Sequence, residues 1–461
     1  MGRLLRIWRS WSPRRRYAVV GGFVVLVVGV AIAGYVVLKR PGDVSNPNAA
    51  FVPEKAPVKK KPKAKDPTID WPTYGFNDAR TRYLAAPKVE PPFASSSWSF
   101  QAGKLLEFSP IIVGDRLYFM DIDANFYAMD ANSGKVIWKH RIGTLNASAP
   151  TFERGNLYAV NLEPGHAVSL RAKDGKERWV TPLPGRSESS PLVYHDRVIF
   201  GCECGKVFAL DAKTGKIRWT VDVAGAVKGA LAEDNGTVFG GSYGGDVFAI
   251  DASSGKVKWT SNTVGGSFLR GGGVYSTPTV AYGRVYLGSI DSRVYSFEEK
   301  TGDLAWTHST GAEVYTGPAV ADTKHTDPTV YLGSADGNFY ALDAKSGATV
   351  WQVPVGGQVT GAASVIGNVV YVSVIGKDVG TLGLKLTNGK KVYDNEIGEY
   401  NPAISDGRAL YLTGYSELRK FLPKSLARKL KRKEFAKNGG RQVADKAKKK
   451  KAGGKSAKKK G

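Results

Sequence analysis

The chain has 461 residues, 42% of them hydrophobic, with 55 glycines, two cysteines and a formal net charge of +25. The charge sits at the ends: residues 1–65 carry 14 Lys/Arg against 2 Asp/Glu, residues 424–461 carry 17 against 2, and 66–423 sum to −2. A nearly neutral body excludes a nucleic-acid-binding face on the folded part, and two cysteines exclude a disulfide-stapled scaffold, so stability must come from an apolar core.

Residues 1–16 form a basic segment with six arginines, followed by an uncharged run from Tyr17 to Leu38. As a helix, 22 residues at ~1.5 Å each would cross a ~30 Å hydrocarbon layer. The run exceeds the usual ~7–15-residue core of a cleaved signal peptide, and no small-x-small site follows it cleanly. It contains no cysteine, which excludes a lipoprotein anchor there. A single transmembrane helix over 17–38 is therefore expected. The arginine excess ahead of it places the N-terminus in the cytoplasm and the body outside, in the cell membrane as a single-pass protein. Residues 39–70 hold six prolines between Pro41 and Pro67 among lysines and few large apolar side chains. They read as an extended linker that cannot bury a core.

From there one pattern repeats. Trp98, Trp138, Trp179, Trp219, Trp259, Trp306 and Trp351 recur at intervals of 40, 41, 40, 40, 47 and 45 residues, and Tyr393 follows after 42 more. Each is preceded by a segment such as Phe208-Ala-Leu-Asp211-Ala-Lys-Thr-Gly215, in which an alternating strand runs into a turn. The Asp bonds nearby N–H groups there, and the Gly is free to adopt positive φ. A further strand pair with its own turn lies upstream, as around Gly283, so each repeat offers four strands. A period near 40 of this kind is that of a β-propeller blade. Seven full units end at Trp138 through Tyr393. Residues 401–422 supply three more strands without a fourth, and Trp98 lies in a lone terminal strand. The two ends are expected to build an eighth blade together, protecting sheet edges that would otherwise pair with other chains. The fold class is all-β, an eight-bladed propeller with tryptophan-docking blades over 71–423, preceded by one transmembrane helix.

The Ala-Leu-Asp-Ala-x-Thr-Gly-x-x-x-Trp repeats resemble the tryptophan-docking blades of the PQQ-like, quinoprotein dehydrogenase-like propellers. Asp70-Trp71-Pro-Thr-Tyr74-Gly75 through Arg80-Thr-Arg82-Tyr83 is similar to the lead-in before their first blade. The resemblance covers about 70–422 and implies eight blades. It is less informative about activity, because that superfamily holds quinone-dependent dehydrogenases as well as non-enzymatic envelope proteins, among them the propeller of the outer-membrane protein assembly machinery. For the dehydrogenases it implies a quinone between a tryptophan floor and a disulfide of adjacent cysteines, beside calcium and a catalytic aspartate. Here Glu203 separates Cys202 from Cys204, and the ten tryptophans are assigned to the N-terminus (Trp8, Trp11), the lead-in (Trp71) and the blade anchors. No catalytic, cofactor-binding or metal residue, and no cofactor, is assigned.

Cys202 and Cys204 fall at a blade turn and read as turn residues, a local disulfide or half of a metal site. Asp121-Ile-Asp123-Ala-Asn125 mimics the opening of a calcium loop but lacks its glycine and closing glutamate. Five histidines lack ligand spacing, and Gly271–Gly273 has no phosphate-loop context. The lysine-rich tail, 424–461, reads as disordered and suited to anionic polymer or lipid headgroups, with Leu426, Leu430 and Phe435 on one side of its first turns. Together these readings describe a membrane-anchored, extracytoplasmic protein-binding scaffold of the cell envelope with no nucleic-acid partner. The alternatives are a PQQ-dependent dehydrogenase and a wall-polymer or carbohydrate receptor.

Overall fold

The computed structural model describes residues 12–15, 18, 21–22, 25–29, 42–53, 69–86, 88–264, 272–376, 380–400 and 403–432. It divides into two compact units, Met1–Asp43 and Val44–Gly461. In the first unit the described residues of 17–38 are helical at 18, 21–22 and 25–29. The single-pass transmembrane anchor expected over 17–38 is corrected: no helix among the described residues is long and apolar enough to cross a membrane. The membrane partnership, the single-pass localisation and the orientation inferred from the arginines fall with it. The remaining positions of 17–38 lie outside the described residues, as do 54–68 and the tail from 433 onward.

The second unit is built from eight sheets, each with four antiparallel strands, to one of which the lead-in adds Tyr83–Leu84 as a parallel fifth strand beside Ser364–Ile366. Blade 1 is Ile111–Val113, Arg116–Met120, Asn125–Asp130 and Val136–Arg141, strands A to D in chain order. Blades 2 to 7 repeat that order over 151–182, 192–222, 232–262, 279–309, 319–354 and 364–395. The eighth blade takes Ile404–Ser405, Leu410–Thr413 and Glu417–Phe421 from the C-terminal end and Trp98–Gln101 from the N-terminal end, with Trp98 opposite Lys420 and Gln101 opposite Glu417. The ring is thus closed by strand pairing between its two ends, which completes the last sheet and leaves only a short edge strand there, as in the other blades.

Local chemistry explains the repeated anchor. Asp211 Oδ1 accepts the Thr214 backbone N–H at 2.8 Å and the Thr214 hydroxyl at 2.7 Å, and Gly215 completes the turn at φ +73°. Trp179 of the preceding blade lies on that glycine, where a Cβ would meet its ring at 2.7 Å, and its indole N–H donates to Ala212 O at 3.0 Å. Each of the seven tryptophans does the same to the next blade: Trp98 on Gly134 and Ala131 O, Trp306 on Gly347 and Ala344 O, Trp351 on Gly389 and Leu386 O. Tyr393 meets no such turn, because the closing blade has none between its third and fourth strands. It packs edge-on against Phe93 at 5.2 Å instead.

A bulge aims each anchor from Trp138 onward. Ala209 faces Trp219, yet the next pair is Leu210 with Ile217, so Arg218 is an extra residue in the ladder. The same shift precedes every anchor from Trp138 to Tyr393. Such an insertion bends the strand and turns the following side chain toward the neighbouring sheet.

Two segments outside the blades are also ordered. Residues 44–53, part of the expected linker, lie along blade 5. Val44 N–H donates to Thr307 Oγ1 at 2.8 Å, Ser45 bridges Trp306, Arg284 donates to Ala49 O at 2.8 Å, and Phe51 stacks on Tyr282. Residues 424–432, the start of the tail, are helical, with Leu430 exposed.

Candidate functional site

The strands nearest the ring axis surround a central channel, and the lead-in closes one end of it. Within 69–84, backbone hydrogen bonds reach blade 8 (Ile69 N–H to Asp406 O), blade 1 (Trp71 with Ile112) and blade 2 (Phe152 N–H to Pro72 O). They continue to blade 4 (Glu233 N–H to Asp78 O), blade 5 (Val280 N–H to Ala79 O), blade 6 (Val320 N–H to Thr81 O) and blade 7 (Val365 N–H to Arg82 O). Blade 3 is reached by a side chain, Arg80 Nη2 donating to Pro191 O at 3.2 Å.

Arg80 and Arg82 are fully buried in this plug. Arg80 also donates to Leu231 O at 2.8 Å, to Thr73 Oγ1 at 2.6 Å and to Tyr74 O. Arg82 donates to Arg80 O, Thr279 Oγ1 and Pro318 O at 2.7–3.1 Å. Burial lowers the Arg80 guanidinium to about 10, opposed by Asp78 and assisted by Arg82, so it stays charged at neutral pH. Carbonyl oxygens and hydroxyls thus take the place of water around Arg80, whereas Arg82 is met by them at Nη1 alone and by the Tyr74 ring 5.2 Å from its guanidinium carbon.

Above the plug lies a cavity of about 550 Å³, with Tyr74 of the lead-in among its lining residues. The remaining lining comes mainly from the turns that enter strand A. One position per blade recurs there: Glu107, Glu188, Lys228, Tyr275, Tyr315, Thr360 and Tyr400 in blades 1 and 3 to 8. The residue before it is the positioning device. Val227, Val274, Val314 and Val359 are buried, each packed where Gly201, Gly241, Gly288 or Gly333 ends strand B of the preceding blade; a Cβ on those glycines would meet the valine at 2.2–2.3 Å. The following Ser or Thr ties the turn down in three places: Ser189 Oγ accepts Gly201 N–H, Ser276 donates to Gly288 O and Thr316 donates to Gly333 O, all at 2.9 Å. With both neighbours fixed, the residue between them lines the channel.

The mouth is acidic and aromatic. Lys228 Nζ lies 2.8 Å from Glu188 Oε1, 3.1 Å from Glu203 Oε1 and 5.7 Å from the centre of the Tyr243 ring, and the Tyr275 hydroxyl donates to Glu188 Oε2 at 3.1 Å. Burial works to lower the Lys228 ammonium but is outweighed by the two glutamates, which raise it. Burial raises Glu188, and its bond with Glu203 adds to that. Burial also opposes ionisation of Glu203, yet hydrogen bonds from Glu188 and Lys228 prevail and lower it. Glu107, which makes no hydrogen bond to another described side chain, is pushed up to about 7 by burial and then by the charge of Glu188, with Lys228 opposing.

Cys202 and Cys204 are joined as a disulfide that brackets Glu203, at the turn facing Gly185. Asp121 behaves as a turn residue, accepting Asn125 N–H at 3.0 Å and the Tyr127 hydroxyl at 2.9 Å. Among the described residues no group of three His, Cys, Asp or Glu could hold a metal ion. The tryptophan anchors lie between blades, away from the cavity. Sequence reasoning did not single out Glu107, Glu188, Lys228, Tyr275, Tyr315 or Tyr400. The available signal was Val-x followed by Ser or Thr shortly before the strand, as in Val274-Tyr275-Ser-Thr-Pro278 and Val314-Tyr315-Thr-Gly-Pro318.

The quinone implied for the dehydrogenases of this superfamily does not fit the mouth. PQQ is a tricarboxylate that stacks on a flat ring. Here Glu107 and Glu188 line the cavity, the one lining cation is already held by two glutamates, and the lining aromatics are tyrosines and Phe108.

The profile of the family described as outer membrane protein assembly factor BamB matches residues 94–231 and 211–421. The BamB of Burkholderia pseudomallei is 34% identical over 112 residues, 24% of this chain and 29% of its own length. A polyvinylalcohol dehydrogenase of a Pseudomonas species is 27% identical over 203 residues, 38% of this chain and 30% of its own length. The chain thus spans under a third of either relative. The crystal structure of BamB from Moraxella catarrhalis superposes with a TM-score of 0.60 at 18% identity, covering 72% of this chain and 98% of that one, a likeness of fold.

Proposed function

Because the chain belongs to the propeller family described as outer membrane protein assembly factor BamB, we propose that it is a non-catalytic, protein-binding scaffold of the cell envelope, outside the cytoplasm. The observation that carries this reading is the family match across 94–421, from the first strand of the closing blade through the last. The Cys202–Cys204 disulfide supports the compartment, since such bonds persist where the surroundings are oxidising. The plug of 69–84 supports a role on the blade rims: it ties the lead-in to all eight blades, leaving the loops and one mouth for recognition. Relatives divide between assembly factors and dehydrogenases, and the acidic mouth favours the former. The test is chemical cross-linking in intact cells, capture of the tagged protein from the envelope fraction, and mass spectrometry of the cross-linked peptides. Reproducible cross-links from blade-rim loops to an envelope protein are expected. Dehydrogenase turnover with added PQQ and Ca²⁺, without such cross-links, would reverse the reading.

A further inference from the structure

The mouth already contains one solved example of cation recognition, made by the protein for itself. The Lys228 ammonium is held by two carboxylates and faces the Tyr243 ring, an arrangement that repays desolvation with charge pairing and with attraction to the ring face. Elsewhere on the same cavity wall the parts recur without the ammonium. Glu107 lines the space with its carboxylate unpaired by any described hydrogen-bond partner, beside Phe108, which packs edge-on to Tyr74 at 5.4 Å. Tyr275 and Tyr315, 5.9 Å apart ring to ring, and Tyr400 complete an aromatic wall. The three carboxylates Glu107, Glu188 and Glu203 outnumber the single ammonium.

We propose that this mouth binds an organic cation, the ammonium or guanidinium head of an aliphatic chain, with Glu107 as its counter-charge and the tyrosine wall around its stem. The proposal does not depend on the scaffold reading, since the head group could belong to a Lys or Arg side chain of a partner or to a free amine. The charges acting on Glu107 are Glu188 and Lys228, with Tyr275 and Tyr400 sensing its charge in turn, while Arg80 and Arg82 lie in the plug. A cation is favoured by the ionised form of Glu107, so binding must draw off the proton held at neutral pH.

The test is calorimetric titration of the whole chain with agmatine, with the blocked peptide acetyl-Gly-Arg-Gly-amide and, separately, with CaCl2. Saturable binding of agmatine or the peptide is expected, weakening about tenfold per pH unit below 7 and levelling off above it. At pH 7, titration in two buffers of different ionisation enthalpy should report release of about half a proton per cation. Glu107→Gln should abolish both the proton release and the pH dependence and weaken binding at least tenfold. Preference for the peptide would identify a partner's side chain as the source, and preference for agmatine a free amine. Lys228→Ala offers a second readout: it vacates the other cation place, and ethylamine should restore the Tm that the variant loses. Binding that ignores pH and Glu107→Gln, binding of calcium alone, or absence of rescue in Lys228→Ala would each overturn the proposal. None of these outcomes bears on the cross-linking result, so the two readings fail separately.

Discussion

Trp306 and Gly347 offer the most direct test of how blades hold one another. Trp306 is 1% exposed, rests on Gly347 and donates its indole N–H to Ala344 O at 3.1 Å. Burying a tryptophan removes about 150–250 Å² from water, a gross ~4–6 kcal/mol at ~25 cal/mol per Å². Trp306→Ala also leaves the Ala344 carbonyl without its donor, and the measured range for such truncations is about 3–5 kcal/mol. We expect a loss of about 4–5 kcal/mol. Gly347→Ala should be costly for two separable reasons. Its φ of +74° is left-handed, about 1–2 kcal/mol for a residue with a Cβ. That Cβ would also stand 2.6 Å from the Trp306 ring, an overpacking cost of about 1–3 kcal/mol. In a Trp306→Ala background the second cost disappears and the first remains, so the double variant should be more stable than the sum of the singles by about 1–3 kcal/mol. The assay is urea unfolding of the four proteins, followed by fluorescence and far-UV circular dichroism together. Additive losses would mean that the indole does not dock on the glycine, and the account of the repeat would fail.

Other consequences are checked more simply. Arg80→Met removes the donor to Leu231 O, Pro191 O and Thr73 Oγ1; a loss of about 3 kcal/mol is expected from the stranded buried acceptors, with proteolytic cleavage appearing within 69–84. Unchanged stability and protease resistance would show that the lead-in is not a plug. Glu107 has its carboxyl raised from 4.5 to about 7 in the folded state, so the folded protein binds the proton more tightly than the unfolded chain. Its stabilising contribution is complete below pH 4.5 and is lost as pH rises through 7. Glu107→Gln should therefore match the parent near pH 4.5 and exceed it in Tm above pH 7.5, and a parallel pH profile would refute the shift. Intact mass should be 2 Da below the reduced value, with Cys202 and Cys204 alkylated only after a reductant; free alkylation of the native protein would exclude the disulfide.

Much of the ring was legible in the chain because its causes are local. The Asp-x-x-x-Gly turn, the alternating strand before it and the aromatic after it act over a dozen residues and recur at a fixed period. The complementary fragments, 401–422 lacking a last strand and Trp98 lacking a blade, identified the closing blade by subtraction. The apolar run over 17–38 had the composition of a membrane span, but composition measures only cohesion with lipid, and no helix among the described residues is long and apolar enough to cross a membrane.

The sequence by itself determined the blade number, the closure of the ring and the turn chemistry, since each depends on neighbours in the chain or on simple counting. Only the tertiary structure decided where the anchors point, because the extra residue at positions such as Arg218 and Val350 is visible only as a shift in pairing between strands. It alone decided that Arg80 and Arg82 sit inside the channel, where carbonyls from blades far apart in the chain accept hydrogen bonds from them. The mouth has the same origin. Glu107, Glu188 and Lys228 stand in different repeats as unremarkable polar residues, and they become a site only when ring closure brings equivalent turns around one axis.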